Sequence, residues 1–345
     1  MGKQVRQPGE VVRDFIVRNI GDHTDDIVAV TSAKFDCTPQ AVHKHLKRLV
    51  EEGAITRAGA RKTPGYKLAQ LDTRTWHHEL NGKLAEDVVW ERDLLPHLQA
   101  LPKNVLGIWS YAFTEMVNNV IDHSGGKKLT VRMNRTATTT EIEVADDGVG
   151  IFRKIQGELD LVDERLAIFE LSKGKLTTDP KNHTGQGIFF SSRMMDEFII
   201  LSGGLHFDHQ LGKAHDVLLE RDNPRNGTLV RMVLNNHTSR STKKVFDAFS
   251  SKDGDYTFNK TIVPVRLGKL ASELVSRSQA KRLLARVDLF EVVIFDFAGV
   301  ETIGQAFADE IFRVYARSHS GITMHPMNAT KQVAEMIARA QAEAR

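Results

Sequence analysis

Glu115-Met-Val-Asn118-Asn119-Val-Ile-Asp122-His-Ser decides the fold, read with Asp146-Asp-Gly148-Val-Gly150-Ile and Thr184-Gly185-Gln-Gly187 further along. Glu115, Asn119 and Asp122 stand at i, i+4 and i+7 and therefore project from one face of a helix. The opposite face carries Ala112, Phe113, Met116, Val117, Val120 and Ile121, which anchor the helix in a core. A stripe of carboxylate and amides on a core-packed helix needs ligands to satisfy it, and Mg²⁺ with phosphates would do so. Singly, an Asp-x-Gly-x-Gly is a turn and a helical Glu is a solvated side chain. Three such boxes in this order, with strands and helices between them, are a far narrower pattern.

Together they resemble the GHKL (histidine kinase-like) ATP-binding domain, the module shared by DNA gyrase, a heat-shock chaperone, histidine kinases and anti-sigma-factor kinases. The resemblance spans roughly residues 85–236. It implies ATP and Mg²⁺ as ligands, with Asn119 holding the metal, Glu115 the base that activates a nucleophile, and Asp122 a further nucleotide-site residue. It also makes Asp146 the carboxylate that accepts a hydrogen bond from the adenine amino group. Gly148 and Gly150 would let the backbone turn closely beneath the nucleotide. Gly185 and Gly187, with the helix expected over Ile188 to Met195, would offer N–H groups to the phosphates, as anions bind at helix N-termini. Gly227-Thr228 opens an alternating strand, Leu229-Val-Arg-Met-Val-Leu234, and Thr228 matches the adenine-end contact of the family. The stretch from Phe152 to His183 is mostly polar and reads as a mobile lid over the nucleotide.

Composition frames this reading. A chain of 345 residues divides most naturally into two or three domains. Its apolar fraction of 41% and charged fraction of 26% are those of a globular protein. The single cysteine, Cys37, permits no internal disulfide and suits a reducing, cytoplasmic setting. Neither an N-terminal apolar leader nor a run of about 18 apolar residues is evident, so no membrane association is expected.

Residues 1–70 read as a winged helix-turn-helix. Helices are expected over Gly9–Ile20, with Val12, Phe15, Ile16 and Ile20 inward, and over Thr24–Lys34, carrying Ile27, Val28 and Val30. A third runs from Pro39 to Glu52, with Thr38 as N-cap, proline at its first position and Gly53 ending it. It buries Val42, Leu46, Leu49 and Val50 and leaves Gln40, His43, Lys44 and Lys47 outward. Residues 54–68 then form a two-stranded wing with a basic tip at Arg61 and Lys62. Between Lys34 and Lys67 stand eight Lys/Arg against three Asp/Glu, an excess of +5 where the whole chain has +3. Such a stripe is the electrostatic footprint of duplex DNA binding. Gln40, His43 and Lys44 are placed to reach base edges, and Lys47, Arg61 and Lys62 to reach phosphates. Winged helices also mediate protein contacts, and that alternative stays open.

Residues 71–90 read as a linker ending in a helix near Glu86, then 91–236 as the ATP-binding domain. His77-His78-Glu79-Leu80 faintly resembles a histidine-kinase phosphoacceptor box but lacks its proline, so these histidines read as surface or packing residues. A polar run, Asn235 to Lys244, marks a second linker over 237–255. Residues 256–345 alternate strands and helices: Tyr256–Val265, Ser276–Leu284, Glu291–Phe297, Gln305–Arg317, Ile322–His325 and Lys331–Ala344, a small α/β domain. Ser276-Arg-Ser-Gln-Ala-Lys-Arg and Asp296-Phe-Ala-Gly-Val300-Glu-Thr-Ile-Gly304-Gln-Ala-Phe-Ala-Asp309-Glu resemble a STAS-like family. Where STAS-type antagonists carry a phosphorylatable serine, this chain has Gln305, with Thr302 the nearby hydroxyl.

The expected fold is thus α/β multidomain: winged helix head, GHKL α/β sandwich and small STAS-like tail. The expected function is an ATP-binding, ATP-hydrolysing regulator acting on double-stranded DNA, with a protein partner at the tail and nucleotide-dependent homodimerisation possible. Two alternatives remain at this stage: a serine/threonine kinase acting on a STAS-type partner, and a switch that binds ATP without turnover.

Overall fold

The computed structural model describes residues 9–58, 65–176, 185–213, 216–250, 257–265 and 274–342. The chain forms two compact units, one holding Met1–Thr75, Arg132–Ile142 and Leu234–Thr238, the other Trp76–Val131, Glu143–Val233 and Ser239–Arg345.

In the first unit α1 (Gly9–Asn19), α2 (Ile27–Phe35) and α3 (Pro39–Glu51) precede an antiparallel hairpin, β1 (Ile55–Ala58) and β2 (Gly65–Leu68). Val12, Ile16 and Ile20 recur at helical spacing and meet Ile27, Val42, Leu46, Leu49, Ile55 and Tyr66 in one core. The Thr38 hydroxyl accepts from the Ala41 N–H at 3.3 Å and Pro39 opens α3, as its sequence requires. Helix α2 starts three residues later than Thr24 because the Thr24 carbonyl is taken by the Tyr66 N–H of the hairpin at 3.1 Å. Thr31, not Val28 or Val30, is its fully buried inward residue after Ile27.

The central sheet has five strands: β3 (Asp72–Glu79), β4 (Lys128–Arg135), β5 (Thr139–Asp146), β6 (Glu197–Gln210) and β7 (Val217–Asn235), in the order β3-β4-β5-β7-β6. The linker expected over 71–90 is therefore corrected. Residues 72–79 are an edge strand, and α4 (Glu86–Val89) leads through a π-helical turn, Trp90–Leu94, into α5 (Leu95–Leu98). Polar residues fill β3 because an edge strand pairs through its backbone and asks little of its side chains. His77 bonds Thr130 at 3.2 Å and His78 pairs with the buried Asp93 at 3.0 Å.

Helix α6 (Lys103–His123) buries Val105, Ile108, Trp109, Ala112, Phe113, Met116, Val117 and Val120. It is followed by α7 (Ile151–Glu158), α8 (Leu166–Lys173) and α9 (Gly187–Met194). The polar lid expected over Phe152–His183 thus begins with two helices, and Ala167, Ile168 and Lys173 of α8 have no exposed surface. Its remainder, 177–184, lies outside the described residues. The linker expected over 237–255 also holds structure: Ser241 caps α10 (Thr242–Ala248). Phe246 packs 4.4 Å from Phe190 and 5.3 Å from Tyr111.

The C-terminal part follows its expected alternation, with β8 (Lys260–Pro264), α11 (Arg277–Leu284), β9 (Val292–Asp296), α12 (Gln305–Asp309), α13 (Ala316–Ser318), β10 (Thr323–Met327) and α14 (Lys331–Ala342). Its three strands are parallel in the order β10-β9-β8. Ser276 and Gln279 form a capping box on α11, and a π-helical stretch, Glu310–Tyr315, joins α12 to α13. Tyr256 lies outside the described residues. Among the described residues, no helix is long and apolar enough to cross a membrane.

Candidate functional site

A cavity of about 410 Å³ opens in the second unit between α6, the end of β5, α7 and the start of α9. This is within the range of small-molecule sites. Seven of the residues singled out in the sequence line it: Glu115, Asn119, Asp146, Gly150, Gly185, Gly187 and Thr228. Sequence separations of over a hundred residues are thereby brought to one wall.

Glu115 and Asn119 face the cavity from α6, whose other side is the buried apolar stripe. Gly187 lies directly against Glu115: a Cβ there would fall inside the Glu115 carboxylate, so the first residue of α9 can only be glycine. Tyr111, one turn before Glu115, has its phenol pushed up by burial and by the charge of Glu115.

Asp146 ends β5. The strand's burial alternates, which puts Ile142, Val144 and Asp146 on the inward face, and Asp146 is only 7% exposed. Burial pushes its carboxyl above the ordinary 3.8; the N–H groups of Gly148 and Thr228 oppose this by bonding the carboxylate. The Gly148 bond measures 2.8 Å. The Thr228 hydroxyl accepts from the Ile151 N–H at 3.0 Å, satisfying an end of α7. Gly150, with φ of +90°, is the N-cap of that helix. Asp146 and Thr228 therefore form a polar end to a cavity that also has Met116, Val144, Ile155, Leu171 and Phe189 in its walls.

Two expected residues stand elsewhere. Asp122 is exposed on α6, and it is His123 and Ser124 that line the cavity. At about 1.5 Å rise per residue, Asp122 lies some 10 Å along the axis from Glu115, beyond the cavity's end. There the glycine loop closes onto the helix, with Ser124 O accepting from the Val149 N–H at 3.0 Å. Gly148 is not a lining residue either; it packs on the Ser124 carbonyl and supports Asp146 from behind.

The sequence reading missed Lys154, His123 and Gln186, all of which line the cavity. Lys154 donates to the His123 carbonyl at 2.9 Å. Its signal was present: Ile151, Lys154 and Ile155 are i, i+3 and i+4 on the helix that Gly150 caps, so they share the cavity face.

Among the described residues no group of three or more His, Cys, Asp or Glu is placed to hold a metal ion. The donor set here is one amide, Asn119, beside one carboxylate, Glu115. This fits Mg²⁺, which keeps several waters and binds through substrate phosphates rather than an all-protein cage.

In the first unit, Gln40, His43, Lys44 and Lys47 recur at i, i+3, i+4 and i+7 and are all exposed along one face of α3. Lys47 stands 3.7 Å from Glu51, an exposed pair. Arg61 and Lys62 lie outside the described residues.

Comparison with known families agrees with the cavity's geometry. Residues 92–206 match the family model of the histidine kinase-like ATPase domain, a span running from the π-helical turn through most of β6 and containing the first three glycine and carboxylate boxes. Gly227-Thr228 lies beyond that span. Residues 279–334 match a STAS-like domain of unknown function. No curated protein matches the chain.

Proposed function

We propose that the chain is an ATP-dependent regulator. In this reading the cavity binds ATP with Mg²⁺, Glu115 turns the nucleotide over, and a winged helix head addresses double-stranded DNA. The observation that carries the reading is the convergence of Glu115, Asn119, Asp146, Gly187 and Thr228 on one cavity, within a span similar to histidine kinase-like ATPases.

Asp146 accepts the adenine amino group at the polar end, and the apolar walls take the faces of the base. Asn119 holds Mg²⁺, which when bound neutralises phosphate charge. Gly185, Gln186 and Gly187 present backbone at the start of α9 to the phosphates, where a helix N-terminus favours anions. Glu115, ionised beside that backbone, accepts the proton of the attacking water. Three helices and a hairpin with an exposed basic stripe on the third helix support the DNA-binding part. The STAS-like domain serves as the contact for a protein partner.

The test is the fate of the γ-phosphate. With labelled ATP and Mg²⁺, wild-type protein is expected to release free phosphate. Glu115→Ala is expected to bind nucleotide within a few fold of wild type and lose turnover. Label retained on protein would instead assign kinase activity, and normal turnover by Glu115→Ala would remove Glu115 from its role.

A further inference from the structure

Residues 170–176 join α8 to the cavity, and they are bonded to the C-terminal part of the same unit more densely than any packing need explains. Leu171 and Leu176 line the cavity. Between them, Lys173 has no exposed side-chain surface; its Nζ donates to Glu170 Oε1 and to the Ala285 carbonyl, each at 2.7 Å. Arg286 donates to the other Glu170 oxygen at 3.0 Å and, through its second amino group, to the Lys175 carbonyl. Lys175 Nζ reaches the Leu289 carbonyl at 2.7 Å and lies 4.8 Å from the Phe290 ring. Thr261 Oγ1 of β8 donates to the Lys173 carbonyl at 2.6 Å.

The other end of the segment leads to Glu115. The Leu176 N–H donates to the Gly185 carbonyl at 3.1 Å, and Gly187, two residues on, presses on the Glu115 carboxylate. A continuous set of contacts therefore runs from Glu115 through Gly187, Gly185 and Leu176 to Arg286 and Thr261. Burying one carboxylate between two cations is a poor way to add stability, because desolvation offsets most of the attraction and apolar residues would serve as well. What such a network does well is fix one arrangement against others, since breaking any member leaves charge stranded in the interior.

We propose that residues 170–176 are a strap coupling nucleotide occupancy of the cavity to the state of the STAS-like domain, with Glu170, Lys173 and Arg286 as its positioning residues. The proposal rests on the nucleotide reading of the cavity. Nucleotide that moves the Leu176–Gly185 pair shifts the Lys173 and Lys175 bonds to 285–289. By reciprocity, whatever binds the STAS-like domain changes nucleotide affinity by the same factor.

Hydrogen exchange on the full chain, with and without a non-hydrolysable ATP analogue and Mg²⁺, tests this. In wild type the analogue is expected to slow exchange at the cavity (112–120 and 143–155) and also at 258–264 and 285–296. Arg286→Gln is expected to keep the cavity protection, lose the protection at 285–296 and bind the analogue roughly tenfold more weakly, within the usual span of coupling factors. Thr261→Val, which removes a single hydrogen bond, shifts the same peptides less and carries the test if Arg286→Gln fails to fold. Protection confined to the cavity in wild type, or unchanged at 285–296 in the variants, overturns the strap and leaves the nucleotide reading standing. No protection anywhere overturns both.

Discussion

Asp146 shows how a functional residue can be told from a structural one. Its carboxylate is held in a nearly closed site where burial raises its proton affinity above the ordinary value of 3.8. A raised native value means the charged form is disfavoured by folding, so at neutral pH the group subtracts from stability; the loss lifts as pH falls through the native value and the proton returns. Asp146→Asn keeps an oxygen for the Gly148 and Thr228 N–H groups and removes the charge. Its unfolding midpoint in urea at pH 7 is expected to equal or exceed that of wild type, with the gap closing toward acid. Nucleotide binding, in the same reading, is lost by more than tenfold. A clear destabilisation at pH 7 would mean that the carboxylate is there for packing. Gly187 is the complementary case, because the Glu115 carboxylate occupies the space a side chain would need. Gly187→Ala is expected to push Glu115 aside and lower ATP turnover by about a hundredfold, the scale of a misplaced catalytic group, with near-wild-type circular dichroism.

Elements differ in how plainly the sequence announced them. Helix α6 was legible because its polar and apolar residues each obey the 3.6-residue period, and so were Thr38-Pro39 and the strand at Val292–Asp296. β3 was not, since an edge strand of Asp, Thr, Arg and His carries no apolar alternation. Helix α10 hid behind the polar run that precedes it, although Val245, Phe246 and Phe249 form its apolar face. Within the site, Glu115, Asn119, Asp146 and the glycines at 150, 185 and 187 were readable from residue type and spacing, and Asp122 was misjudged because period alone ignores where a helix ends. The exclusion of 237–255 from the ATP-binding domain has an energetic consequence. Phe249, 8% exposed, stands 5.0 Å from Phe189, a cavity residue, and 6.5 Å from Phe258. Phe249→Ala is expected to lower unfolding free energy by about 3 kcal/mol, as for other buried phenylalanines, and to weaken nucleotide binding through Phe189. Loss of less than about 1 kcal/mol in urea unfolding would restore the linker reading.

For the whole chain, the proposed function makes a demand that no single domain can meet. If ATP alters the affinity of the head for DNA, DNA must alter the affinity of the cavity for ATP by the same factor, whatever path connects them. Coupling of this kind is commonly worth about 1–3 kcal/mol, roughly 5- to 150-fold. The head's share can be isolated electrostatically. Lys44 and Lys47 are exposed on the basic face of α3, and each phosphate contact adds about 0.9 to the slope of log affinity against log salt. Lys44→Glu with Lys47→Glu is therefore expected to reduce that slope by close to ~2 and to leave ATP binding in the absence of DNA unchanged. Titrations of a duplex at several salt concentrations, with the ATP analogue and with ADP, measure both quantities at once. A nucleotide-dependent offset between two parallel salt lines supports an ATP-gated DNA-binding protein, because the nucleotide then changes the population of competent heads and not their phosphate contacts. Coincident lines would separate the two functions and leave the STAS-like domain as the only output the cavity could address.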